Sequence, residues 1–142
     1  MIHYILFRTQ AHATEDVSRV REALAHVLPA DTAIDAVETE GYFGNKITIF
    51  SSRLEKKGAE SYIDFLRERL PEADRGQLVA ELPERVDEDC NFFLRLSKQD
   101  AYLDAVRITY AEDAISLRAR LAAYPAKYEA GLRLIREYFH AG

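Results

Sequence analysis

The sequence predicts an α+β fold, with one largely antiparallel sheet and helices packed mainly on one of its faces. Three observations predict it. Short apolar runs with a period of two recur along the chain, mostly joined by hairpin-length links. Longer runs with apolar residues at helical spacing fall between them. No repeat, low-complexity stretch or Gly/Ser/Pro-rich linker divides the 142 residues, so one domain over 1–142 is expected.

The first strand is expected from Ile2 to Ala11. Tyr4, Leu6 and Arg8 share one face and Ile5, Phe7 and Thr9 the other, and because both faces begin apolar the strand should lie inside the sheet. Thr14 stands where an N-cap belongs, Glu15 and Asp16 suit a first turn, and Val17, Val20, Leu24, Val27 and Leu28 recur up to Pro29, predicting a helix over 14–28. Strands over 34–42 and 46–53 flank Phe43-Gly44-Asn45, a link whose Gly and Asn tolerate positive φ, which marks a hairpin. GAESYIDFLRERL predicts a helix ending at Pro71, and a second over 73–82 carries Leu78, Val79 and Leu82. A strand over 91–97 alternates Phe92, Leu94 and Leu96 against Phe93, Arg95 and Ser97, and a single helical turn or loop follows over 98–103. A short strand over 106–109, a clear one over 114–121 and a helix over 125–139 starting at Pro125 complete the chain.

Composition removes several function classes. With 19 Lys+Arg against 24 Asp+Glu, the net charge is −5, which excludes coating nucleic acid by bulk charge. One cysteine excludes a disulfide framework and a cysteine-rich zinc module, and a reducing compartment is the default. The N-terminal apolar run is short and interrupted by Arg8, unlike a signal peptide, and no stretch approaches the roughly 18 apolar residues of a membrane span. The expectation is a cytoplasmic protein without membrane association.

Few residues are arranged for catalysis. His3, His12, His26 and His140 show no HxxxH or HExxH spacing, so neither a metal nor another cofactor is expected. Cys90 follows Asp87, Glu88 and Asp89, which would raise rather than lower its pKa, and reads as a bland thiol at a strand start. Glu38 and Glu40 share a strand face but read as solvated surface. GYFG over 41–44 is a hairpin rather than a phosphate loop, and no GxGxxG, GxxxxGK[ST] or GxSxG occurs.

Charge is nevertheless segregated. Segment 41–58 is +3 through Lys46, Arg53, Lys56 and Lys57 against Glu55; 91–99 is +2 through Arg95 and Lys98; 114–128 is +3 through Arg118, Arg120 and Lys127. Segments 31–40 and 81–89 are each −4. With helices covering Leu94, Leu96, Ile115 and Leu117, the opposite sheet face would present Phe93, Arg95, Ser97, Ser116, Arg118 and Arg120, an aromatic residue among arginines suited to stacking bases and holding phosphates. The residues read alone leave open a solvated face or one covered by a partner subunit.

EGYFGNKITIF at 40–50, RVDEDCNFFLRLSKQDAYL at 85–103 and DAISLRARLAAYP at 113–125, in this order and spacing, resemble the archaeal family of exosome-associated RNA-binding proteins, related in fold to the 5S-RNA-binding ribosomal protein of the large subunit. The resemblance implies an antiparallel α+β domain, RNA as ligand, exosome- or ribosome-associated proteins as further partners, and no catalytic step. It carries over Arg95, Lys98 and Gln99 as RNA contacts. Where the family pattern has Gly, this chain has Asp104, placing a carboxylate beside the contact loop or altering a turn.

The resulting expectation is a non-enzymatic RNA-binding protein. Arg95, Lys98, Arg118, Arg120, Lys46 and Arg53 would meet phosphates, Gln99 a base or ribose, and Phe93 or Tyr42 would stack. The alternative is a protein-interaction or homodimerisation module using the same face. A small hydrolase would instead require a pocket gathering His12 or His140 with carboxylates.

Overall fold

Strand β1, Ile2–Ala11, has Ile5, Phe7, Thr9 and Ala11 buried and Tyr4, Leu6 and Gln10 half-buried on its other face, so it is protected on both sides. That is the environment of an interior strand, and the sheet order confirms it. The computed structural model describes residues 1–41 and 43–140. After β1 come α1 (Val17–His26), β2 (Asp35–Glu40), β3 (Lys46–Glu55), α2 (Lys56–Arg69), α3 (Glu72–Arg85), β4 (Asn91–Leu96), α4 (Lys98–Tyr102), β5 (Ile115–Leu121) and α5 (Tyr128–His140). The strands form one five-stranded sheet in the order β2-β3-β1-β5-β4. β2 pairs antiparallel with β3. For β1 and β5 the antiparallel sense follows from Thr9 Oγ1 donating to Ala114 O and Ala122 N–H donating to Met1 O, because the two numbers rise in opposite directions.

The chain divides into two compact units. The first comprises residues 7–53 and 95–116. Here α1 packs on α4, burying Val20, Ala23 and Leu24 of α1 and Ala101 of α4, and His26 Nδ1 lies 2.6 Å from Ala101 O. The second comprises residues 1–6, 54–94 and the chain from 117 onward. Here α5 packs on α2 and α3, with Tyr62, Ile63 and Leu66 of α2 and Leu78 and Leu82 of α3 buried. Tyr138 of α5 donates to Glu60 Oε1 at 2.9 Å, and Tyr128 donates to Pro83 O at 2.6 Å.

Several boundaries move for identifiable reasons. The first helix starts at Val17 instead of Thr14, because Glu15 N–H closes a turn on His12 O and Asp16 becomes the N-cap, accepting from Ser18 and Arg19 N–H at 2.9 and 3.3 Å. Val17, expected inside, is therefore exposed. The expected strand over 106–109 is reduced to a single bridge between Leu96 and Ile108. The last helix begins at Tyr128 because Lys127 N–H turns back onto Pro125 O. Asp104, which replaces the expected Gly, adopts φ +56°, the left-handed conformation a glycine would supply, just after α4.

Candidate nucleic-acid interface

The period-two alternation of β4 buries Phe92, Leu94 and Leu96 and turns Phe93 and Arg95 to the other side. β5 does the same, burying Ile115, Leu117, Ala119 and Leu121 while Ser116, Arg118 and Arg120 face away. β4 and β5 are neighbours in the sheet, whereas β3, which carries Lys46 and Arg53, is separated from β5 by β1.

Within the second unit, Phe93 is 42% exposed and Arg118 is exposed. Arg120 is half-buried and donates to the carbonyl of Asp89. Burial opposes ionisation of the neighbouring Asp87, but hydrogen bonds from Asn91 and Asp89 and the charge of Arg120 outweigh it and hold its carboxyl below the usual range. Arg120 is thus anchored at the acidic turn before β4, and Arg118 is the more available cation of the pair.

Within the first unit, Arg95 is exposed, its guanidinium 3.4 Å from Ala111 O, and Gln99 is exposed on α4. Lys46 and Arg53 are exposed on β3, and Lys46 lies opposite Glu40. Arg8, not among the expected contacts, is exposed on β1, with Ser116 Oγ donating to its carbonyl at 3.2 Å. The strand alternation noted for Tyr4, Leu6 and Arg8 was the signal for it. Tyr42, expected to stack, lies outside the described residues.

Lys98 corrects the expectation most directly. Expected to meet phosphate, its side chain is instead buried, with the residue 2% exposed. Its ammonium donates to Gln10 O at 2.9 Å, Glu15 Oε1 at 3.0 Å and Asp113 Oδ1 at 2.8 Å, using all three donors. Burial by itself would lower its pKa, but Asp113 and Glu15 raise it above the ordinary value. Glu15 also accepts from His12 N–H at 3.0 Å and from the Tyr102 hydroxyl at 3.2 Å, and despite partial burial its carboxyl, like that of Asp113, is held below the ordinary range. Continuing the inward parity of Phe92, Leu94 and Leu96 by one step reaches Lys98, the only sequence signal for its burial.

His12, Glu15 and Asp113 bring ligand-type atoms within 4.8 Å of one another, the kind of grouping a metal or a hydrolytic site would use. The Lys98 ammonium already fills the cationic role there, and a divalent ion would compete with it for the same carboxylate oxygens. The arrangement ties the starts of α1 and α4 to the end of β1 and the loop before β5.

A family model described as RNA binding matches residues 4–121. RNA-binding protein PAB1135 of Pyrococcus abyssi is 37% identical over 142 aligned residues, covering 96% of this chain and 92% of that protein. Among solved structures, protein AF2318 of Archaeoglobus fulgidus superposes with a TM-score of 0.87 at 29% identity, covering 97% of this chain and 99% of its own. Mth689 of Methanothermobacter thermautotrophicus does so with a TM-score of 0.81 at 36% identity, covering 98% of each chain.

Proposed function

The chain belongs to the RNA-binding family matched over residues 4–121, and on that premise we propose that it binds RNA as a non-enzymatic module. The observation that carries the reading is the outward row of β4 and β5 in the second unit: a part-exposed Phe93 and an exposed Arg118, presented by strands whose other face is apolar and buried. An aromatic ring stacks on bases irrespective of sequence, and guanidinium groups pair with phosphates. The anchored Arg120 adds a phosphate contact in the same unit. In the other unit Arg95 and Arg53 would meet phosphate and Gln99 a base or ribose, while Lys46, seven positions from Arg53 and so on the opposite side of β3, would make a separate contact. The net charge of −5 then limits attachment outside these residues.

The resemblance noted in the sequence extends the proposal to RNA handled in the cytoplasm by exosome or ribosomal components. Co-purification of such components with the tagged protein, lost after ribonuclease treatment, is the expected result.

The binding reading is tested by anisotropy titration of a labelled single-stranded RNA at several salt concentrations. Log affinity should fall linearly with log salt, by roughly 0.7 per phosphate contact. Arg95→Glu/Arg118→Glu should weaken binding at every salt concentration. A salt-insensitive affinity, or an unchanged one in the double variant, would remove Arg95 and Arg118 as phosphate contacts. If Phe93→Asp instead halves the solution mass and leaves RNA affinity unaltered, the face is a homodimer contact.

A further inference from the structure

The acidic segment 31–40 supplies none of the proposed RNA contacts, yet it forms β2, the strand at one edge of the sheet. The hairpin determines which of its backbone groups face outward. Gly41 N–H donates to Asn45 O at 2.7 Å, and Gly44, at φ +77°, donates its N–H to Gly41 O at 2.9 Å. The register then pairs Glu40 with Lys46, Thr39 with Ile47, Glu38 with Thr48, Val37 with Ile49 and Ala36 with Phe50. Antiparallel ladders alternate bonded and non-bonded pairs. Thr39 and Val37 therefore bond to β3, while Glu40, Glu38 and Ala36 turn their N–H and C=O groups away from it. Among the described residues, no backbone group bonds to these outward positions.

The other edge strand is handled differently. Outside β4, Asn91 O accepts from Asp87 N–H; farther along, Ser97 N–H donates to Arg107 O, and Arg95 O accepts from Thr109 N–H. The chain thus covers the outer side of β4 with its own flanking segments, but all six residues of β2 are exposed, Val37 at 60%.

We propose that β2 is a docking edge for an extended lysine- or arginine-rich segment of a protein partner, which joins the sheet as a further strand. The backbone edge offers the hydrogen bonds, and charge selects the occupant. Asp31, Asp35, Glu38 and Glu40 face no basic residue within 31–40, and Lys46 offsets Glu40 across the pair, leaving Asp35 and Glu38 as the main recognition charges. A second copy pairing through β2 would set acid against acid, and the same charge repels a polyanion. Acids on an edge strand also discourage indiscriminate strand pairing, so the test must separate selective docking from a purely repulsive edge.

The full-length protein is titrated with a decapeptide alternating Lys and Val while backbone amide NMR shifts are followed. Expected are shifts confined to β2 and its hairpin, no binding of the Glu/Val counterpart, and loss of binding when alternate peptide amides are N-methylated. Asp35→Lys/Glu38→Lys should weaken the Lys/Val peptide by at least about tenfold, the size of one lost charge-assisted contact. Glu38→Pro removes an outward donor and no bond to β3, so it should abolish docking with the β1 and β3 amides unchanged; the N-methylated peptide reads the same contact should that variant misfold. Shifts away from β2, equal binding of the N-methylated peptide, no binding at millimolar peptide, or β2 shifts produced instead by RNA or by self-association would each overturn the proposal.

Discussion

The ammonium of Lys98 lies 2.8 Å from Asp113 Oδ1, joining the first residue of α4 to the loop before β5. The lysine is 2% exposed, whereas the Asp113 side chain is 50% exposed. The cation is therefore committed and its partner remains partly in water.

Lys98→Met should destabilise the protein by about 2 kcal/mol. Removing one member of a buried ion pair costs about 3–5 kcal/mol, reduced here because the stranded carboxylates keep access to water. Urea unfolding at neutral pH measures it. An unchanged midpoint would mean the ammonium balances only its own desolvation.

Stability should hold a plateau bounded by these same groups. Glu15 and Asp113 have folded pKa values below their ordinary 4.5 and 3.8, so their contribution is present above those values and lost as pH falls through the lowered ones. Lys98 is raised above 10.5, so its contribution is present below that value and lost as pH rises through the folded value. Urea midpoints measured across pH should decline at both ends, and Lys98→Met should flatten both declines.

Phe93→Ala should weaken single-stranded RNA by about 1–3 kcal/mol, the range for loss of one base–aromatic stack, with little change in salt slope. Arg118→Ala should instead reduce the slope by roughly 0.7. Anisotropy titrations of both variants separate stacking from phosphate contact. Identical effects on the slope would contradict the assigned roles.

Asp104→Gly should stabilise the fold by about 1 kcal/mol or less, because Asp104 sits at φ +56° where glycine carries no Cβ penalty. A thermal melt checks it. Lost stability would show that the Asp104 side chain contributes more than its backbone conformation costs.

Asp16→Ala should cost about 1 kcal/mol by releasing Ser18 and Arg19 N–H at the start of α1, while Thr14→Ala should cost little. The ordering of these two variants tests the observed helix start against the earlier one that the sequence suggested.

Most of the architecture was legible because it rests on local periodicity. Alternation at Phe92 to Leu96 and at Ile115 to Leu121 assigned each strand a buried and an outward face, and the protected position of β1 followed from its two apolar faces. The outward placement of Phe93, Arg95 and Arg118 was legible the same way. The strand expected over 106–109 is not realised, because the β-type residues there make one bridge only.

The sequence by itself determined the fold class, the hairpin and the segregation of charge, since these follow from residue spacing along the chain. Tertiary structure alone decided that Lys98 belongs to Glu15 and Asp113, partners 83 and 15 residues away, instead of to a ligand. It also decided that β2 keeps an open edge while the outer side of β4 is covered. The physical reason is the same in both cases. A cation's partner and a strand's free edge depend on which segments the folded chain brings alongside, and sequence spacing carries no record of that meeting.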